Sequence, residues 1–278
     1  MTFVVVLIAL LIERFFDWSH LRYWRGYLTY QNKLQKLMPH LSPYLILLFS
    51  AIPWLILVAL IHWMIQGWLY GFLKLLFDII ILLYCFGPRN LWADAFLCIQ
   101  AFTQTDAVFA EEKLKNSFNI IESKNVHQQL LHKIFIGANN RIFAVLIWFT
   151  ILGPVGAVLY RVIALTSADS LRDKVAPDLS QSAFLVAMIL DWIPVRLFTF
   201  LFALGGAFVQ VFTCFRALKR AWFDFNSNDI LLGECGMAAL GYHESLPEDG
   251  SAETQAINLL DRTFIIALGI LAMMAWLI

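Results

Sequence analysis

An acid and a base stand five residues apart in an otherwise apolar stretch, Leu190-Asp191-Trp192-Ile193-Pro194-Val195-Arg196. At the centre of a membrane helix each charge costs about 2.5–3.5 kcal/mol on insertion scales, so such residues mark functional sites or buried pairs. Pro194 removes a backbone donor and crowds the preceding turn, which predicts a kink here. The freed carbonyls, the carboxylate and the guanidinium would form a polar site at lipid depth, suited to an anionic or polar ligand. The competing account is structural: an ion pair, or partners on other helices, that stabilises a bend.

Asn139-Asn140-Arg141 is the second such group. Either asparagine suits a helix N-cap, because its side-chain oxygen accepts from the free N–H groups of the first turn. The segment runs on through Trp148 and Gly153-Pro154-Val155-Gly156-Ala157 to Tyr160-Arg161. Small residues let helices approach closely, and Pro154 predicts a second kink. Capping and packing could account for all of this, with Arg161 reaching up to the headgroups. Glu234 adds a further acid through the resemblance described below. The ligand-binding candidates are therefore Asn139, Arg141, Tyr160, Arg161, Asp191, Arg196 and Glu234.

Secondary candidates are Glu13 and Arg14, which end the first apolar segment as an interfacial pair, and Asp78, which needs a partner inside a span. Asp169 joins them through the resemblance described below. His62 beside Trp63 reads as interfacial. Trp18, Trp24, Trp54, Trp63, Trp68 and Trp92 fall near helix ends, as an aromatic belt does. His127 and His132 are five apart and do not share a helix face as zinc ligands at i, i+4 would. The cysteines, Cys85, Cys98, Cys214 and Cys235, form no Cys-x-x-Cys and read as small packing residues. No metal cluster and no cofactor motif is read. The phosphate-binding Gly-x4-Gly-Lys-Ser/Thr, Gly-x-Gly-x-x-Gly, Gly-x-Ser-x-Gly and His-Glu-x-x-His patterns are all absent from the sequence. An ordinary NTPase, serine hydrolase or zincin is thereby disfavoured.

The elements that must position these residues are membrane helices. Of 278 residues, 60% are hydrophobic and only 14% charged, and the mean hydropathy is +0.72. Soluble domains carry about 45–50% apolar and about 25% charged residues, so the excess must face lipid. Net charge is zero, which gives no footprint for nucleic acid. A span needs about 20 mostly apolar residues. Candidates are 2–12, 44–65, 68–86, 142–160, 183–213 (with a kink or break) and 263–278, the last extending back toward Ala256. Residues 2–12 lack a basic leader and a small-residue cleavage site, and read as an uncleaved helix. The fold expected is an all-α polytopic transmembrane bundle with kinked helices, a single membrane domain over 1–278. No internal repeat and no convincing β alternation is visible.

Lys and Arg concentrate in 13–43, 87–141 and 214–262, while 66–67 and 161–182 hold only Arg161, Arg172 and Lys174. The positive-inside rule then puts the first three in the cytoplasm and both termini outside. Segment 87–141 reads as a helical insert, with Phe96, Ile99, Phe102 and Val108, then Leu130, Leu131, Ile134 and Phe135, at helical spacing. Loop 214–262 reads as partly unstructured around 245–251.

Three stretches together resemble a known superfamily: Ala138-Asn139-Asn140-Arg141 with the Gly153–Arg161 run, Asp191-x-x-Pro194-x-Arg196, and Glu234-x-x-Met237-Ala238. Their order and spacing are similar to those of the adenosylcobinamide-phosphate synthases of cobalamin biosynthesis. The short first helix ending in Glu13-Arg14, the length and the Asp191-Trp192 pairing resemble the AmpE branch, inner-membrane accessories of β-lactamase induction linked to cell-wall recycling. There are departures. Leu190 replaces the first of the synthases' paired aspartates, and Asp229–Gly233 replaces their Ser-Pro-Asn-containing run. Their Thr-x-Asp-Ser element survives in part, as Thr166 and Asp169-Ser170. These losses argue against amide-forming catalysis and leave room for a binding pocket.

The resemblance and the buried charges imply a regulatory or sensory protein of the bacterial inner membrane. It would bind a cell-wall-derived or nucleotide-containing metabolite. A retained synthase is the alternative, coupling an amine-bearing alcohol phosphate to a carboxylate. Arg141, Arg161 and Arg196 would clamp anions, and Asp191 or Glu234 would serve as base or metal ligand. A scaffold that takes a cytoplasmic protein partner through 87–141 is the third reading. Transport is weaker, for want of an inverted repeat.

Overall fold

In hydrocarbon every backbone N–H and C=O must be satisfied within its own segment or in a closed barrel, and this chain uses helices. The computed structural model describes residues 2–16, 18, 22, 24–65, 71–103, 114, 118, 120, 125–168, 175–242 and 250–277, and regular structure among them is helical throughout. In order these are α1 (Thr2–Phe15), α2 (Arg25–Leu37), α3 (Pro43–Met64), α4 (Phe72–Cys85), α5 (Leu91–Thr103), α6 (Val126–Ala138), a π-helical turn (Asn139–Phe143), α7 (Ala144–Ser167), α8 (Pro177–Gly205), α9 (Phe208–Ala217), α10 (Lys219–Phe223), a 3₁₀ turn (Phe225–Ser227), α11 (Asn228–Leu240) and α12 (Ser251–Leu277).

Four helical runs are long and apolar enough to cross a membrane: Pro43–Met64, Val126–Ser167, Pro177–Gly205 and Ser251–Leu277. Leu48, Ile56, Leu57 and Leu60 of α3 are all exposed, a surface that belongs against lipid. Helices α1 and α4 have 14 residues each, about 21 Å at 1.5 Å per residue, shorter than the roughly 30 Å hydrocarbon core.

The chain forms two compact units. The first, residues 1–88 and 144–191, holds α1–α4, α7 and α8 as far as Asp191. Its core includes Ile46 and Leu47 of α3, Ile163 of α7, and Leu179, Ala183 and Ala187 of α8. The second, residues 89–143 and 192–278, holds the remaining elements. Its core is aromatic: Phe143 stacks on Phe198 at 4.3 Å between ring centres, Phe198 lies 4.5 Å from Phe202, and Phe264 closes on Phe198 at 5.8 Å. Gly233 and Gly236 let α11 approach α6. A Cβ on Gly236 would lie 2.4 Å from the Phe135 ring, and one on Gly233 would lie 2.6 Å from His132.

Several boundaries differ from the sequence expectation. The helix expected to open at Asn139–Asn140 begins at Val126, and the N–H of Asn139 already donates to Phe135 O and Ile136 O, so no N-cap is needed there. The kink expected at Pro154 is present, with Gly153 at φ 67°, ψ −155°. At Pro194 the helix α8 continues, and the interruption in 183–213 falls at Gly206–Ala207 instead. Segment 13–43 contains α2, a helix that was not anticipated. The last span starts at Ser251, before Ala256. Most of 245–251 lies outside the described residues.

Candidate functional site

In the first unit Asp191 accepts a hydrogen bond from the Tyr160 hydroxyl at 2.7 Å. A Pro at position 194 leaves the carbonyl of Leu190 without its i+4 donor. That oxygen instead accepts from the Trp148 indole N–H at 3.2 Å. Two bonds thus tie α7 to α8 around the proline, and one of the carbonyls expected to be free is filled.

Arg161 does not reach outward. It is 3% exposed and its Nε donates to the carbonyl of Cys85, the last residue of α4. Arg22 donates to the carbonyl of Gly87 at 2.7 Å. These guanidinium groups satisfy oxygens at and just beyond a helix C-terminus, where carbonyls lack helical donors and cations are favoured. Arg22 also makes a two-pronged ion pair with Glu13, which is 1% exposed. Glu13 is therefore a buried group joined to Arg22, while Arg14 is exposed. Asp78 has a partner on α3, His62, at 3.0 Å. Asp169 lies outside the described residues.

A network that sequence reasoning missed joins α2, α3 and α7. The Tyr27 hydroxyl lies 3.1 Å from the hydroxyls of Ser50 and Thr166, and Gln31 Nε2 donates to Tyr27 and Thr166 at 3.1 Å. Burial pushes the Tyr27 phenol above its ordinary pKa, and the two hydroxyls partly offset that. The only signal was the i, i+4 spacing of Tyr27 and Gln31.

In the second unit Arg196 is enclosed by protein. Its Nε and Nη2 donate to Trp222 O at 2.9 and 2.8 Å, and Nη2 also reaches Ala221 O and Asp224 O at 3.3 and 3.1 Å. Nη1 donates to Trp192 O at 3.1 Å and to Asn228 Oδ1. All three nitrogens are engaged, and the guanidinium lies 4.8 Å from the Trp192 ring. This arrangement pins the 221–228 segment to α8. Arg141 donates to Asp94 at 2.8 Å. Asn139 is fully buried within the π-helical turn and donates to Asn140 Oδ1 at 2.9 Å. Insertions of this kind are frequent at functional sites.

Glu234 has a different setting. Its side chain is 47% exposed, 3.8 Å from His132 Nε2, and lines a cavity of about 280 Å³ with Gln128, Gln210, Thr213, Cys214, Ala217, Met237, Ala238 and Tyr242. Gln210 Oε1 is buried there without a hydrogen-bond donor. The seven candidates thus fall into separate groups: Tyr160 with Asp191, Arg161 at the end of α4, Arg196 with 221–228, Arg141 with Asp94, Asn139 in the π turn, and Glu234 at the cavity.

Long apolar helices, buried charge pairs and a small polar cavity define a polytopic helical membrane protein. A family model described as "Regulatory signalling modulator protein AmpE" matches residues 1–228. The chain belongs to the AmpE family, whose model is described as a regulatory signalling modulator, and its long apolar helices mark it as a membrane protein. It is also similar to proteins named "Cobalamin biosynthesis protein CobD" from Chromobacterium violaceum and Stutzerimonas stutzeri. These are 24% identical over 174 residues (61% of this chain, 55% of that protein) and 23% identical over 194 residues (66% and 61%). The chain thus spans a little over half the length of these curated relatives. No solved structure matches.

Proposed function

We propose that this chain is an inner-membrane protein that modulates β-lactamase induction in the response to antibiotics, and that it does so by binding a polar cell-wall-derived or nucleotide-containing metabolite. The observation that carries the reading is the AmpE family match over 82% of the chain, 228 of 278 residues. Glu234 and its cavity are the ligand site in this reading. The cavity offers a carboxylate and the unsatisfied Gln210 Oε1 but no Lys or Arg among its described lining residues. It therefore suits the N–H and O–H donors of a sugar or peptide portion rather than a phosphate. Asp191, a carboxylate within the span Pro177–Gly205, is the intramembrane charge on which the response depends. Arg141, Arg161 and Arg196 are structural in this reading, engaged with Asp94, the carbonyl of Cys85 and the 221–228 segment. The distribution of Lys and Arg supports a cytoplasmic location for the basic loops and termini outside.

Thermal stability of the detergent-solubilised protein tests the ligand. A peptidoglycan-derived sugar peptide or a nucleotide-linked cell-wall precursor should raise the Tm of the wild type, because a ligand that binds only the folded state stabilises it. Glu234→Gln should lose that rise. No shift with either compound in the wild type would remove the metabolite from the account.

The CobD relatives favour a second reading, an amide-forming synthase. Product formation by the purified protein from an amino-alcohol phosphate and a corrinoid carboxylate would establish it.

A further inference from the structure

Cys214 of α9 and Cys235 of α11 are both free thiols, with their sulfurs 3.7 Å apart. They are 21 residues apart in sequence, without a motif, and only the fold brings them together. The helices that carry them are held close. The N–H of Ala207, which precedes α9, donates to Ala239 O of α11 at 2.9 Å. A Cβ on Gly206 would lie 2.5 Å from that same oxygen.

The two thiols differ in access. Cys235 is fully buried, whereas Cys214 is half-buried and lines the Glu234 cavity. They also differ in character. The Cys235 S–H donates to Cys214 Sγ, which holds the Cys214 thiol below its ordinary range and pushes Cys235 well above it. Burial and the neighbouring Glu234 carboxylate work against the thiolate at Cys214 and add to the rise at Cys235. Reactivity follows thiolate character and exposure, so both differences select Cys214 as the attacking sulfur.

We infer that Cys214 and Cys235 form a redox-responsive dithiol, in which Cys214 reacts from the cavity and Cys235 resolves it to an intramolecular disulfide joining α9 to α11. With a small-molecule disulfide as oxidant, the Cys214 thiolate attacks one sulfur, forms a mixed disulfide and releases one thiolate. Cys235 then loses its proton and attacks the Cys214 sulfur, which expels the second thiolate. The two cysteine thiols are oxidised, and the oxidant leaves as two thiols. The bond would cross-link two walls of the cavity, so the oxidised protein would hold α9 and α11 at a fixed separation.

The full-length protein in detergent, exposed to oxidised glutathione and then unfolded with a maleimide reagent, tests this. Two of the four thiols should be lost, and mass spectrometry should find Cys214 linked to Cys235. In Cys235→Ser the reaction should stop at one glutathione adduct on Cys214. In Cys214→Ser the adduct should be reduced roughly tenfold or more, in line with the dependence of exchange on thiolate and access. Cys85 and Cys98, both buried, serve as controls within the same molecule. Four thiols retained in the wild type, a glutathione adduct without an internal link, or a link that involves Cys85 or Cys98 would each overturn the inference. The wild-type measurement stands without either variant.

Discussion

Trp148 donates its indole N–H to the carbonyl of Leu190, the oxygen that Pro194 leaves without its helical donor. A proline inside an apolar helix is thus stabilised by a side chain on α7, and α8 continues through it. Trp148→Phe keeps an aromatic ring and removes the donor. A buried acceptor left unsatisfied costs about 1–3 kcal/mol, so the Tm in detergent should fall. In a Pro194→Ala background the restored backbone N–H can serve Leu190, and the same change should cost clearly less. Equal losses in both backgrounds would show that the indole bond does not answer the proline.

Glu13 and Arg22 make a buried ion pair. Glu13→Ala would strand a guanidinium whose side chain is only 2% exposed, and breaking one side of a buried pair costs about 3–5 kcal/mol. Arg14→Ala, one residue away but exposed, should stay within about 0.5 kcal/mol, as surface substitutions usually do. Denaturation of the purified variants measures both, and similar losses would contradict the assignment.

Arg196→Lys keeps the charge and loses the fork that serves the carbonyls of Trp222, Ala221 and Asp224. A single ammonium cannot span them all. The expected result is faster proteolysis within 221–228, with the apolar helices still folded. An unchanged cleavage pattern would show that another group fixes this segment.

Gly236→Ala places a methyl group 2.4 Å from the Phe135 ring. Overpacking of this kind costs about 1–3 kcal/mol. Gly269→Ala meets nothing within 4 Å, and in the interior of α12 alanine is favoured over glycine by up to about 1 kcal/mol. Opposite signs in Tm are expected for the two variants, and a Tm unchanged or raised by Gly236→Ala would mean that α6 and α11 are not limited by this contact.

What the sequence made legible follows from the range of each signal. Apolar runs act over 20 residues, so the long spans were recognisable, as was the kink at Gly153-Pro154, where glycine and proline act together. Pro194 misled because its effect depends on Trp148, 46 positions away in the chain. The actual interruption at Gly206–Ala207 depends on a bond to Ala239, which nothing local announces. Asp191 was recognisable as a costly charge and Glu234 through the family resemblance, but their partners Tyr160 and His132 were not, because pairing is a property of the fold. The sulfur contact between Cys214 and Cys235 was invisible for the same reason.

The central claim is most directly tested by β-lactam-induced β-lactamase activity in a deletion strain that carries either wild-type protein or Asp191→Asn at equal membrane abundance. The account predicts that deletion impairs induction, that wild type restores it and that Asp191→Asn does not. Normal induction in all of these strains would contradict it.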